Sequence, residues 1–282
     1  MKNLAPIGIK KAIILFLVIF SNLSVSCTHA QNNSKEEKGQ NNKIAICAHR
    51  GYWLANEVNK AQNSIASLKA AQAINVWGSE FDIHLTSDDI IIVNHDQTLG
   101  GLDIWENPWS SFKTMKLSNG ETPATLSEYL AAGKEKNTIL VCELKPQKNS
   151  EKEILLADMA IKEIKKHELY DPKKIIFISF SYNICKHIAA NAPNFMVQYL
   201  SGNKTPDELY TDGIMGLDYH YLILLNNPDW IKRAHELGMS VNAWTVNKKE
   251  DIERVIGLGV DCITTDYPLI VRELLSGKEI TP

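Results

Sequence analysis

From residue 44 onward, short apolar runs alternate with amphipathic stretches. The runs Lys43–Ala48, Trp77–His84 with a continuation Ile90–His95, Thr138–Lys145, Lys174–Ser179, Phe195–Tyr199, Gly213–Leu217, Ser240–Val246 and Cys262–Thr265 have the length and composition of strands. Between them, apolar residues recur at helical spacing over Ser64–Ile74, Leu126–Lys134, Glu151–His167, Asn183–Asn191, Pro228–Leu237 and Lys249–Leu258. Eight strands separated by helices over roughly 230 residues predict an α/β protein of the (β/α)8 TIM-barrel type rather than an open sheet. Gly100–Thr125, with Trp105, Pro108 and Trp109, is a longer excursion, expected to form part of the rim or a small lid rather than a domain.

The first residues follow another pattern. Lys10 and Lys11 precede an unbroken apolar run from Ala12 to Phe20, and small or polar residues lead on to Cys27. A basic start and a short apolar stretch read as a secretory signal, too short to span a bilayer comfortably. Leu23-Ser24-Val25-Ser26-Cys27 resembles a relaxed bacterial lipobox, which would make residues 1–26 the signal and Cys27 the lipidated first residue. The alternative is ordinary cleavage after Ala30. Residues 28–43 lack any large apolar side chain, so 27–43 reads as a flexible polar tether ahead of a domain at 44–278. The expected location is the cell envelope, as an exported lipoprotein facing the periplasm or the surface, or else soluble periplasm.

Charge and cysteines narrow the functional classes. The chain has 30 basic and 33 acidic residues, a net charge of -3. Residues 1–26 hold Lys2, Lys10 and Lys11 and no acid, so the remainder carries 27 against 33, or -6. No nucleic-acid partner is expected from such a balance, for which a basic stripe would be needed. Cys47, Cys142 and Cys262 lie in apolar strand-like runs, where a thiol behaves as a small hydrophobe. No zinc-type Cys/His spacing is present.

Candidate chemistry concentrates between Ala48 and Thr98: His49-Arg50-Gly51, Gln62-Asn63-Ser64, Glu80-Phe81-Asp82-Ile83-His84 and His95-Asp96. On a strand, Glu80 and Asp82 project to one face and Phe81 and Ile83 to the other. Two carboxylates side by side on a buried face repel and raise each other's pKa, and a divalent cation with a taste for hard oxygen ligands, Mg2+ or Ca2+, removes that penalty. The alternative is an edge strand with both acids in solvent. Barrel sites lie at the C-terminal strand ends, and His49-Arg50, Asp82, His84, His95, Glu143, Lys145, Ser179 and Trp244 all fall at or just past such ends. His84 either lines the pocket or belongs to a polar layer inside the barrel. Asn63 before its helix, and Asp266 before Tyr267-Pro268, read as helix caps.

These motifs resemble the glycerophosphodiester phosphodiesterase family over about residues 44–275. His49-Arg50-Gly51 matches that family's opening motif, Glu80-Phe81-Asp82 its Glu-X-Asp, His95-Asp96 its His-Asp pair, and Glu143-Leu144-Lys145 its Glu-X-Lys. Ala243-Trp244-Thr245-Val246-Asn247 and Gly259–Asp266 look like its closing strands. One departure stands out. Ala61-Gln62-Asn63-Ser64 replaces Pro-Glu-Asn-Thr, so a neutral amide takes the place of a glutamate.

The resemblance implies a metal-dependent hydrolase that releases glycerol 3-phosphate and an alcohol. Glu80, Asp82 and Glu143 are then the expected ligands of one divalent cation. Arg50 and Lys145 supply positive charge for the phosphate, with Arg50 suited to bidentate contact. His49 and His95 are the expected general acid/base pair, their individual roles left open. Trp244 is the expected wall of the alcohol pocket. The resemblance also implies that a glycerol hydroxyl can attack first, giving a cyclic phosphate that water opens. Two alternatives stay open: a related phosphodiesterase acting on lysophospholipids or lipid headgroups, and a non-catalytic lipoprotein that binds polyol phosphates. The expected partners are a small-molecule glycerophosphodiester and, through Cys27, the membrane.

Overall fold

A computed structural model describes residues 44–277. The expected signal segment, Cys27, the tether and the last residue of the 44–278 domain lie outside the described residues. Eight strands form the barrel: β1 Ala45–Ala48, β2 Gly78–Leu85, β3 Ile139–Leu144, β4 Ile175–Ser179, β5 Met196–Tyr199, β6 Gly216–His220, β7 Ser240–Trp244 and β8 Cys262–Thr265. Each pairs in parallel with the next, and β1 pairs with both β2 and β8, so the sheet closes on itself as expected for a (β/α)8 barrel.

Nine helices lie along the described chain: α1 Ile65–Ala73, α2 Leu126–Gly133, α3 Ser150–Lys166, α4 Tyr182–Asn191, α5 Pro206–Thr211, α6 Tyr221–Asn226, α7 Pro228–Glu236, α8 Lys249–Leu258 and α9 Pro268–Leu275. The periodicity anticipates six of them and misses α5, α6 and α9, two of which span only six residues. Strand β6 also starts and ends three residues later than the expected Gly213–Leu217. The expected continuation of β2 is a separate short strand, Ile91–Val93, that folds back antiparallel on it with Ile83 opposite Val93.

Alternation along β2 decides what faces the barrel axis. Phe81 stacks on Tyr129 of α2 with ring centroids 4.4 Å apart, so it points outward, and Glu80 and Asp82 must point in. Burying such an aromatic side chain stabilises the domain by roughly 1.5–3 kcal/mol. Helix starts are secured locally. Ser64 with Ser67 caps α1, and Thr125 with Glu128 caps α2, each a reciprocal pair contributing about 1 kcal/mol. A second apolar cluster, built on Cys47, Val141, Ile176, Ile178, Leu200 and Cys262, fills the barrel interior. Cys47, Cys142 and Cys262 are buried free thiols, in keeping with their reading as small hydrophobes, and Cys185 is a buried free thiol as well.

The excursion after His95 is a compact rim element. Thr98–Leu99 and Leu102–Asp103 form a hairpin, and Ile92, Ile104 and Phe112 make a small buried cluster under Trp105, Trp109 and Met115.

Candidate active site

The ladder between β2 and β3 sets Asp82 directly opposite Glu143, and Glu80 stands two residues away on the same inward face. The edge-strand alternative is excluded, because Glu80, Asp82 and Glu143 are 3%, 1% and 7% exposed and β2 has barrel strands on both sides. One oxygen from each of the three lies within 4.8 Å of the others. Glu80 Oε2 accepts a hydrogen bond from the backbone N–H of Arg50 at 2.7 Å, while Glu80 Oε1 accepts none. Asp82 Oδ2 accepts from Asn63 Nδ2 at 2.8 Å, which leaves Oδ1 turned to the cluster.

Lys145 Nζ lies 2.7 Å from Glu143 Oε1 and 3.2 Å from Asp82 Oδ1. One ammonium cannot balance three buried carboxylates. Burial, then the charges of Asp82 and Glu143, hold the Glu80 carboxyl well above its ordinary range. Burial and the facing Asp82 push Glu143 up to about 8. Asp82 is also pushed up by burial, but Lys145, His95, the Asn63 hydrogen bond and Arg50 outweigh that and hold it low. Three converging hard oxygens that share one ammonium and carry excess negative charge fit a divalent cation of the Mg2+ or Ca2+ kind.

Arg50 reaches the rim through strained backbone. Arg50 and Gly51 have φ of 54° and 75°, and a Cβ on Gly51 would fall 2.5 Å from Ser67 Oγ, so only glycine lets the turn pack against α1. Arg50 Nη1 donates to Gln62 Oε1 at 2.6 Å. The neutral amide fixes the guanidinium without cancelling its charge.

Both histidines are anchored by carboxylates through Nδ1. His49 Nδ1 donates to Asp266 Oδ1 at 2.8 Å, and His95 Nδ1 to Asp96 Oδ1 at 2.6 Å. In each ring this leaves Nε2 as the nitrogen available for proton transfer. The supports differ: Asp266 is 14% exposed and Asp96 is 74% exposed. Burial, opposed by Asp82, lowers the pKa of His95. His84 is 2% exposed, and burial takes it down to about 4, so its Nε2–H donates to the carbonyl of His95 at 3.1 Å. It supports the His95 segment from below and does not line the pocket.

A cavity of about 110 Å³ opens among these groups. His49, Arg50, Glu80, His95 and Glu143 supply polar lining, and Ile178, Phe180, Leu200 and Trp244 supply apolar lining. Asp82 and Lys145 are not among the lining residues and are ion-paired to each other at 3.2 Å. Ser179 lies apart from this group, its hydroxyl donating to the carbonyl of Leu144 at 2.6 Å.

Two residues read as helix caps do something else. Ser64 caps α1, while Asn63, at φ 55° and 4% exposed, grips Asp82 from both ends: its Nδ2 donates to Oδ2 and its Oδ1 accepts from the Asp82 N–H at 3.1 Å. Asp266 precedes α9, whose start has no side-chain cap, and instead accepts from His49, from Trp53 Nε1 at 3.0 Å and from Asn247 Nδ2 at 2.7 Å. That network, with the His49 hydrogen bond first against burial, holds the Asp266 carboxyl low and therefore ionised.

Comparison with known proteins agrees with this geometry. The chain matches the glycerophosphoryl diester phosphodiesterase family over residues 49–270. It is 26% identical over 246 residues to a glycerophosphodiester phosphodiesterase of Caldanaerobacter subterraneus, covering 80% of this chain and 95% of that one. A crystal structure of a glycerophosphodiester phosphodiesterase from Parabacteroides distasonis superposes with a TM-score of 0.81 at 40% identity, covering 84% of this chain and 98% of that one. A phosphodiesterase from Oleispira antarctica, solved in complex with the product sn-glycerol-3-phosphate, shares the fold at a TM-score of 0.72 and 22% identity, with coverage of 82% and 96%. With the motifs, the closed barrel and the 40% identical structure in accord, the chain belongs to the glycerophosphoryl diester phosphodiesterase family.

Proposed function

We propose that the protein hydrolyses glycerophosphodiesters to glycerol 3-phosphate and an alcohol, using one divalent cation held by Glu80, Asp82 and Glu143. The observation that carries this reading is the meeting of three buried carboxylates, Arg50 and two carboxylate-anchored histidines around one small cavity. When bound there, the cation neutralises phosphate charge and polarises the reacting oxygens.

The protein's own groups then divide the work. Arg50, oriented by Gln62, offers its fork to the non-bridging oxygens of the phosphate. Lys145 adds positive charge behind the carboxylates and fixes the positions of Asp82 and Glu143. One histidine Nε2 removes the proton of the attacking hydroxyl, and the other gives a proton to the leaving alkoxide. Each ring is kept in the needed tautomer by its carboxylate. Trp244, edge-on to Phe180 at 5.5 Å, gives the carbon skeleton an apolar wall.

Export, and attachment to the cell envelope through a lipid on Cys27, belong to the same proposal and rest on the lipobox-like Leu23–Cys27. The deciding experiment assays the purified protein on a panel of glycerophosphodiesters, with chelator and with added Mg2+ or Ca2+. Hydrolysis abolished by chelator and restored by the ion is the expected result. Activity indifferent to chelator overturns the cation, and no activity on any diester favours the binding-protein alternative.

A further inference from the structure

Across the cavity from the three carboxylates stands a fourth carboxyl that the proposed chemistry does not use. Asp218 lies on the inward face of β6, midway between Gly216 and His220; it is 1% exposed and lines the cavity. Its Oδ1 accepts from Asn242 Nδ2 at 2.7 Å, and the same amide donates to Thr264 Oγ1 at 2.9 Å. Thr264 lines the cavity as well. No hydrogen bond from a described residue reaches Asp218 Oδ2, and no Lys, Arg or His among the described residues pairs with this carboxyl.

The position of Asp218 is fixed from several directions. Its carbonyl accepts the indole N–H of Trp244 at 2.7 Å, and the β6–β7 ladder places it opposite Asn242. One turn of the pleat below, β5 and β6 approach so closely that a Cβ on Gly216 would fall 2.4 Å from Gln198 Cγ. The segment has little freedom to turn Asp218 away from the cavity.

A buried carboxyl with one hydrogen bond and no cation is a poor structural element. Removing it from water costs more than a single amide donor returns, and burial pushes it up to about 7. Its remaining oxygen therefore points to a ligand donor. The apolar side chains of Trp244, Phe180, Ile178 and Leu200 line the same cavity as Asp218 and the phosphate-binding groups. That lining matches a small molecule that carries a phosphate, a carbon skeleton and a hydroxyl.

We propose that Asp218 is a specificity-determining residue that accepts a hydrogen bond from a hydroxyl of the polyol part of the substrate, with Thr264 Oγ1 beside it. This rests on the phosphodiesterase reading above and identifies which part of the substrate that cavity selects. A hydroxyl pairs with the free oxygen of the buried carboxyl, whereas an alkyl group leaves that oxygen unpaired, so the two differ by about tenfold or more in affinity.

The test compares glycerol 3-phosphate with propyl phosphate, which has the same carbon count and no free hydroxyl, by calorimetry on the Mg2+-supplemented protein. The wild type should bind glycerol 3-phosphate at least about tenfold more tightly. Asp218→Leu, close in volume and without oxygens, should bring the two ligands to within about twofold, with the affinity for propyl phosphate nearly unchanged. Asp218→Ala reads the same difference should the leucine disturb folding. A preference that survives in the folded variant, or that is missing from the wild type, overturns the assignment. Hydrolysis of glycerophosphocholine by the wild type is measured alongside. If hydrolysis is present and the preference survives, Asp218 alone is wrongly assigned; if no diester is hydrolysed, the phosphodiesterase reading falls.

Discussion

His49 donates through Nδ1 to Asp266 at 2.8 Å, joining the residue that follows the first barrel strand to the one that follows the last. Asp266 is itself held by Trp53 and Asn247, so the imidazole inherits a fixed direction. Asp266→Ala should lower kcat by about tenfold or more through loss of the tautomer and orientation of His49, with cation affinity unchanged. Steady-state kinetics paired with calorimetry check this. A variant that loses cation binding along with kcat would show that Asp266 supports the barrel rim in general.

If His49 and His95 both transfer protons, His49→Ala and His95→Ala should each reduce kcat by about a hundredfold or more. The double variant should lose less than the product of the two, because groups acting in one step are not additive. A nitrophenyl phosphodiester, whose leaving group needs no proton, should rescue the variant lacking the general acid and not the other. That comparison assigns the two roles. Equal wild-type activity in both single variants would remove the histidines from the mechanism.

Asp82→Asn, Glu80→Gln and Glu143→Gln each remove one charge from the converging set while keeping its shape. Each should weaken Mg2+ or Ca2+ binding by about tenfold or more, and turnover should fall in step. The Glu80 and Glu143 variants should also melt higher than the wild type in chelator, since each relieves repulsion among buried carboxylates. Unchanged ion affinity in all three would place the cation elsewhere.

Asp218 makes stability depend on pH in a stated direction. Its carboxyl titrates at about 7 in the folded protein, against an ordinary 3.8, because of burial. Between those values the folded chain holds a proton that the unfolded chain has released, so unfolding free energy falls as pH rises. The contribution is complete below about pH 4 and lost through about pH 7, a change on the order of a few kcal/mol. The buried thiols of Cys47 and Cys262 feel this carboxylate and stay protonated across the range. Thermal melts in chelator from pH 5 to 8 should therefore slope downward, and less steeply in Asp218→Asn. Equal slopes would show that Asp218 does not titrate there.

Cys27→Ser should move the protein from the membrane fraction to the soluble one, and labelled fatty acid should enter the wild type only. Absence of label from the wild type would leave cleavage after Ala30 as the reading.

Most of the barrel was legible because parallel strands covered on both faces are written as nearly continuous apolar runs. The exception is instructive. The run ending at Leu217 stops where β6 turns polar, so Asp218, Tyr219 and His220 read as loop although they are strand. The acidic trio was readable from strand spacing and family motifs, since both are properties of neighbouring positions. Asn63 and Asp266 are not distinguishable from caps in the sequence, because a short polar residue before a helix has the same local appearance whichever partner it finds. Their partners, Asp82 and His49, lie 19 and 217 positions away. Helices α5 and α6 are too short to display a full apolar period.

The β1–β8 ladder, with Ala45 opposite Cys262 and Ala48 opposite Thr265, has a kinetic meaning. The carboxylates come from β2 and β3, contiguous in the chain, and their neighbourhood can assemble early. The seam is the pairing of highest sequence separation, so its loop-closure entropy is met late in folding. Hydrolytic competence is thus coupled to the final closure event: a nascent or C-terminally truncated chain would gather its acidic trio and still lack an oriented His49.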